Sequence, residues 1–81
     1  MRVDFFGRLA DLNGGRQMDG VPDDLADGAA LRNWLSETAP HMADILAHPG
    51  TRLVMDDAIA DWQTPLAEAH HIAIIPIVSG G

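Results

Sequence analysis

The sequence ends in Val78-Ser79-Gly80-Gly81, directly after the apolar run of residues 72–78. Glycine has no Cβ, so two terminal glycines let the chain pass through a narrow channel and leave the last carbonyl open to attack from either side. Gly80 and Gly81 are therefore the residues that could do chemistry, with the free carboxylate as the reactive group. The alternative is an ordinary frayed terminus, since final residues are commonly disordered and tolerant of change.

A terminal carboxylate must be activated before it reacts, and the chain offers no means of activating it. A carboxylate is a poor electrophile until a phosphate leaving group is attached, and the sequence has neither a glycine-rich phosphate loop nor a lysine. It also has no cysteine, which excludes a thiol nucleophile and a disulfide framework. Catalytic groups are expected in partner proteins, into which an extended tail of residues 77–81 would reach about 15 Å.

Composition predicts one small globular domain over residues 1–81, with 47% hydrophobic residues to build a core. The net charge of −7 argues against nucleic acid and anionic membranes and is compatible with a basic protein partner. No apolar stretch has the length of a membrane span and no signal-peptide core is present, so we expect a cytoplasmic protein. Because lysine is absent, no ε-amine of this chain can capture an acyl group activated at its own tail.

The other clusters of polar residues favour structural roles over catalysis or metal binding. His70 and His71 are adjacent and point to opposite faces if they lie in a strand, so they cannot chelate together, and we expect no metal site. Asp23-Asp24 and Asp27 lack the remaining ligands of a calcium loop. Asp56-Asp57 is most simply a tight turn.

Hydrophobic periodicity predicts a mixed sheet with one main helix. That helix begins near an Asp27 N-cap, follows an amphipathic spacing through Leu31, Trp34, Leu35 and Thr38, and ends at Pro40. Strands are predicted over 2–7, 16–21, 51–56, 58–62 and 71–78, with a short helix over 8–13 and a helical turn or two over 42–46. The last strand is apolar on both faces and should be central, which gives an α+β fold with one sheet face left uncovered.

Side-chain alternation suggests what lies on the uncovered face. Asp4 is costly to bury, so its face of the first strand should be wet, and Phe6 shares that face. Ile75 lies on the opposite face of its strand from Ile74. If Phe6 points outward, Ile75 and Ile59 could complete an exposed apolar patch with it. Burial of Ile59 and Ile75 in the core is the alternative.

Four segments carry a resemblance to a known family: Phe5-Phe6, Asp56-x-x-Ile59, Thr64-Pro65-Leu66 and Pro76-x-Val78-Ser79-Gly80-Gly81. Together they resemble the MoaD-type small subunit of molybdopterin synthase over essentially the whole chain. The resemblance implies a β-grasp (ubiquitin-like) fold and a sulfur carrier rather than an enzyme. It also places partner contacts at Phe6, Ile59 and Ile75, and along the tail at Pro76, Ile77, Val78 and Ser79.

The resemblance further implies a sequence of partners and no bound cofactor. A MoeB-type adenylating enzyme uses ATP to convert the terminal carboxylate to an acyl-adenylate, and a sulfur donor converts that to a thiocarboxylate. The large, MoaE-type synthase subunit then accepts the tail, and the sulfur passes to precursor Z of molybdopterin. Gly81 would carry the sulfur and Gly80 would let the tail thread.

Two positions depart from the family pattern. Pro76-Ile77 stands where the family has Pro-Pro, so one fixed φ is lost. Ala69-His70 stands where a Gly-Asp turn is usual, which puts the geometry of that turn in doubt. The departures leave open a related carrier or modifier that serves thiamine, tungstopterin or protein conjugation. A β-grasp interaction module with an incidental Gly-Gly is the remaining alternative.

Overall fold

A computed structural model describes residues 1–76 as five strands, three α-helices and a 3₁₀ turn. In chain order these are β1 (Val3–Phe5), α1 (Gly7–Asn13), β2 (Gln17–Met18), α2 (Gly28–Thr38), the 3₁₀ turn (Pro40–Met42), α3 (Ala43–Leu46), β3 (Thr51–Met55), β4 (Ala58–Ala60) and β5 (Ile72–Pro76). None of the described helices is long and apolar enough to cross a membrane.

The strands form one mixed sheet in the order β2-β1-β5-β3-β4. β5 pairs parallel with β1 and antiparallel with β3, while β2 and β4 pair antiparallel at the two edges. The prediction that the last strand is central is confirmed. It follows from the run Ile72–Pro76, which has no polar side chain to leave in water.

Helix α2 covers one face of this sheet. Asp27 is its N-cap, as predicted, and its Oδ1 atom accepts a hydrogen bond of 2.9 Å from the backbone N–H of Ala30. Leu31 and Leu35 are fully buried in the core. The sheet contributes the covered-face residues of its three central strands to the same core, namely Val3, Phe5, Leu53, Ile72 and Ile74.

One residue of the predicted apolar stripe of α2 is placed differently. Thr38 was expected to follow Leu31 and Leu35 inward, yet it is exposed, and Trp34 is only half-buried. The chain leaves the helix at Ala39, which has φ −128° and ψ 74°. That residue, rather than Thr38, turns its side chain into the core.

The predicted strands were too long at their ends. β1 stops at Phe5 because Gly7 already opens α1 with φ +55°, a conformation that glycine adopts without strain. β2 has two residues instead of six, and the chain turns at Gly20, where φ is +78°. β4 ends at Ala60 rather than at 62. The end of the last predicted strand, beyond Pro76, lies outside the described residues.

Gly28, the first residue of α2, is packed too closely for a larger side chain. A Cβ there would lie 2.5 Å from Leu53 Cδ2 and 2.9 Å from the carbonyl oxygen of Trp62. The same stretch of backbone is bonded to the loop after β4, because the N–H of Ala29 donates to the Trp62 carbonyl over 2.7 Å. The start of α2 can therefore lie this close to the sheet only because residue 28 has no side chain.

Gly28→Ala should lower the free energy of unfolding by about 1–3 kcal/mol, because overpacking at a backbone carbonyl outweighs the better helix propensity of alanine. Urea unfolding followed by circular dichroism measures the change. Gly15→Ala is the control, since a Cβ there meets nothing within 4 Å. Equal stability of the two variants would contradict the close packing of α2 on the sheet.

Candidate functional site

The face of the sheet opposite α2 has no helix over it among the described residues, and we call it the open face. Strand alternation and the pairing registers place seven side chains there: Asp4, Gln17, Arg52, Val54, Ile59, Ala73 and Ile75. Residues adjacent to these in sequence, such as Leu53 and Ile74, point to the buried core. The open face is therefore built by the same alternation that builds the core.

Phe6 and Ile75 lie side by side on the open face. In the parallel pair Phe5 is opposite Ile74, and the N–H of Phe6 donates to the Ile74 carbonyl over 3.3 Å, so the pairing continues one residue past the strand. Phe6 itself is extended, with φ −128° and ψ 161°. Both side chains are half-buried, at a separation of about one strand spacing, or ~4.8 Å between backbones.

Ile59 is on the same face but not in the same row. It lies opposite Val54 on β4, and Val54 lies opposite Ala73 on β5. Its side chain is 68% exposed, which contradicts the alternative of core burial for this residue. The structure therefore brings Phe6 and Ile75 together and connects Ile59 to them through Val54. The predicted role of the three as partner contacts stays a prediction.

The tail begins at the end of the sheet where Phe6 and Ile75 lie. Pro76 closes β5 and is half-buried, and a Cβ on Gly7 would lie 3.4 Å from its Cγ atom. Since Gly7 has no side chain, the proline ring packs close to the backbone at the start of α1. The other predicted tail residues, namely Ile77, Val78, Ser79, Gly80 and Gly81, lie outside the described residues.

The face around Asp4 is drier than the sequence predicts. Its side chain is only 17% exposed, and its Oδ2 atom lies 2.6 Å from Nε2 of His71. Oδ1 lies 3.4 Å from Nε of Arg2 and makes no hydrogen bond within residues 1–76. A carboxylate can be enclosed here because His71, the residue just before β5, supplies the N–H it requires.

Sequence reasoning also missed two arginines at this site. Arg52 lies directly opposite Ile75 in the β3–β5 register, and the guanidinium carbon of Arg16 lies 5.6 Å from the ring centroid of Phe6. The signal for Arg52 was side-chain alternation along β3, which places Arg52 on the opposite face of the sheet from the buried Leu53. Nothing in the sequence pattern gives the position of Arg16. Among residues 1–76, no group of three or more histidines and carboxylates is arranged to hold a metal ion.

A family model described as the ThiS family matches residues 3–81. The chain belongs to the ThiS family. Its members are ubiquitin-like β-grasp proteins that act as sulfur carriers or modifiers, are generally not catalytic themselves, and work with adenylating enzymes. The mixed sheet and the single covering helix layer confirm the β-grasp fold.

Solved structures of similar fold include SAMP1 from Haloferax volcanii, at a TM-score of 0.74 and 24% identity, covering 100% of this chain and 98% of that one. A second structure, of small archaeal modifier protein 1 from the same organism, aligns at a TM-score of 0.71 and 22% identity over 96% and 97% of the two chains. At these identities the likeness concerns the fold. No curated protein sequence matches the chain.

In this ThiS-family chain the turn before β5 is held by hydrogen bonds to a residue elsewhere in the chain, Asp56. Asp56 and Asp57 form the predicted tight turn between β3 and β4, with φ of 50° and 69°. The Oδ1 atom of Asp56 accepts hydrogen bonds from the backbone N–H groups of His70, at 2.9 Å, and His71, at 2.8 Å. The Asp56 carboxylate therefore holds the segment that leads into β5. This is the segment in which Ala69-His70 replaces the Gly-Asp pair of the family.

Asp56→Ala should lower the free energy of unfolding by about 1–3 kcal/mol more than Asp57→Ala does, because it leaves two backbone N–H groups without their acceptor. Both aspartates have positive φ, so the strain of placing alanine there is shared and the difference isolates the hydrogen bonds. Urea unfolding of both variants measures it. Equal destabilisation would show that Asp56 acts only through its backbone conformation.

Proposed function

We propose that this ThiS-family chain is the sulfur carrier of a molybdopterin synthase, its small, MoaD-type subunit. A MoeB-type adenylating partner transfers AMP from ATP to the Gly81 carboxylate and releases pyrophosphate. A sulfur nucleophile from a donor then attacks the acyl carbon and displaces AMP, which leaves a thiocarboxylate on Gly81. The large, MoaE-type subunit receives this tail, and the sulfur passes to precursor Z.

The observation that carries the proposal is the position of Phe6 and Ile75, the two residues that we call the apolar row, relative to the tail. Phe6 and Ile75 lie on an uncovered sheet face at the end of the strand from which the chain continues to Gly80-Gly81. A partner docked on that row therefore has the first tail residue, Pro76, directly beside it. Desolvated apolar anchors give most of the energy of such an interface, and the tail then needs only to extend into the partner's active site.

The composition of the chain indicates which groups its partners must supply. It has no lysine, no cysteine and no phosphate loop, so in this proposal the ATP site and the nucleophilic sulfur belong to partners. In this proposal Ile77, Val78 and Ser79 contact the walls of the partner's channel. Gly80 passes the narrowest part of that channel, because a residue without Cβ allows the closest approach of backbone to protein.

Removing Gly81 should abolish formation of the thiocarboxylate. The measurement is the intact mass of the chain after incubation with a MoeB-type enzyme, ATP and a sulfur donor, and the expected product has one oxygen replaced by sulfur. Gly15→Ala is the control, an exposed glycine away from the tail that should react as the wild type does. Equal sulfur incorporation by the truncated chain would exclude Gly81 as the carrier.

Ile75→Asp should leave the domain folded and weaken binding to both the adenylating enzyme and the large subunit by at least about tenfold, since it buries a charge in the apolar row. Titration calorimetry with each partner measures the affinity, and a thermal melt checks the fold. Ala47→Asp introduces the same charge at an exposed position next to α3. Unchanged affinity for Ile75→Asp, or its unfolding, counts against the apolar row as a docking site.

A second candidate function is protein modification, favoured by the fold-level likeness to small archaeal modifier protein 1. Both functions share the acyl-adenylate and differ in what consumes it. A carrier passes sulfur to a small acceptor and recovers its carboxylate, whereas a modifier forms an amide with an amine of a target protein. Carriers for thiamine or tungstopterin differ only in the acceptor. Incubating the thiocarboxylated chain with each acceptor class and looking for transfer or for covalent conjugates separates these functions.

A further inference from the structure

The charges of this chain are distributed unevenly between the open face and the rest of the surface. The whole chain carries a net charge of −7. Among the seven strand residues of the open face, however, Asp4 is the one carboxylate, and His71 is bonded to it at 2.6 Å. The strand residues of the open face therefore carry little of the negative charge of the molecule.

Two arginines flank the apolar pair Phe6 and Ile75, one beside each residue. Arg16 holds its guanidinium carbon 5.6 Å from the ring centroid of Phe6, and Arg52 lies directly across from Ile75. Across the sheet the order is Arg16, just before β2, then Phe6, just after β1, then Ile75 on β5 and Arg52 on β3. Within residues 1–76 neither arginine forms a salt bridge with a carboxylate, whereas Arg2 lies 3.4 Å from Asp4.

Both guanidinium groups are positioned before any partner binds. Nη1 of Arg52 donates to the Pro49 carbonyl over 2.6 Å, and the side chain is half-buried. The same nitrogen lies 3.4 Å from the Thr51 carbonyl, while Nε and Nη2 make no hydrogen bond within residues 1–76 and can pair with an acceptor from outside. Arg16 is exposed but rests against the Phe6 ring, a contact within the range of cation–π attraction. Arginines held in this way lose little side-chain entropy when a carboxylate pairs with them.

We propose that the partner docking on the open face is acidic there: it presents carboxylates to Arg16 and Arg52 on either side of an apolar pocket that receives Phe6 and Ile75. The inference rests on the proposed function, since it takes the open face to be the carrier's docking site. The net charge of −7 alone is compatible with a basic partner, whereas the residues around Phe6 and Ile75 favour an acidic one.

Charges close to the docking site act on a bound partner more strongly than distant charges, because dissolved salt screens the distant ones. At physiological ionic strength the Debye length is about 8 Å, while the smallest dimension of the molecule is 18 Å. Carboxylates of the helix layer, such as Glu37 and Asp44, lie across the sheet from the open face. A partner in contact with Phe6 and Ile75 therefore lies closer to the two arginines than to these carboxylates.

The test measures the KM of the chain as a substrate for a MoeB-type adenylating enzyme, by ATP–pyrophosphate exchange. Arg52→Glu should raise KM about tenfold with little change in kcat, and Arg16→Glu should raise it about threefold, because it is more exposed. Arg52→Lys keeps the charge and should stay within about threefold of the wild type. For the wild type, KM should rise with salt between about 0.05 and 0.3 M, and Arg52→Glu should flatten that rise.

Arg32→Glu is the matched control, the same charge change on α2 at the covered side of the sheet, where Arg32 stacks on Trp62 at 4.5 Å. A thermal melt of each variant monitors folding, and Arg16, which makes no hydrogen bond through its side chain within residues 1–76, tests the idea without risk to the fold. Equal effects of Arg32→Glu and Arg52→Glu, or a lower KM for either Arg16→Glu or Arg52→Glu, would overturn the acidic partner. Failure of the wild-type chain to be adenylated would instead overturn the proposed function, and this inference with it.

Discussion

The architecture depends on the insertion of β5 between β1 and β3. Its backbone is bonded on both sides, parallel to β1 and antiparallel to β3, so no polar backbone group of that strand needs water. The apolar side chains then project to both faces, but α2 can cover only one of them. Ala73 is 1% exposed on the uncovered face because Asp4 and Val54 flank it in register. Ile75, one step closer to the tail, stays accessible.

The parts of this structure that the sequence predicts are those with a local signal. The N-cap and buried stripe of α2 follow from Asp27, Leu31 and Leu35, and the central place of the last strand follows from a run without polar residues. The state of Asp4 could not be predicted in the same way. Its enclosure depends on His71, which is 67 positions away, and the parallel register that joins them is set by packing of the whole sheet.

The turn into β5 shows why a departure from a family motif is hard to interpret from sequence. Ala69-His70 lacks the glycine that the turn was expected to need, and the pattern alone indicates a weakened turn. The structure supplies the missing constraint from Asp56, whose carboxylate accepts from two consecutive N–H groups. The sequence predicts only the turn that Asp56 itself forms, because a hydrogen bond across fourteen or fifteen residues leaves no periodic pattern. Arg16 beside Phe6 is a second contact of this kind.

The choice of arginine for every cationic side chain has a chemical consequence for a chain that carries an activated acyl group. A docking face for an acidic partner needs positive charge close to the tail, and a lysine amine there would compete with sulfur for the acyl-adenylate. The guanidinium group stays protonated in proteins and is not a nucleophile. Arg16 and Arg52 can therefore attract carboxylates beside Pro76 without consuming the intermediate, whatever produced the absence of lysine. Under the proposed function, the requirements of docking and of acyl chemistry are met by the same residue type.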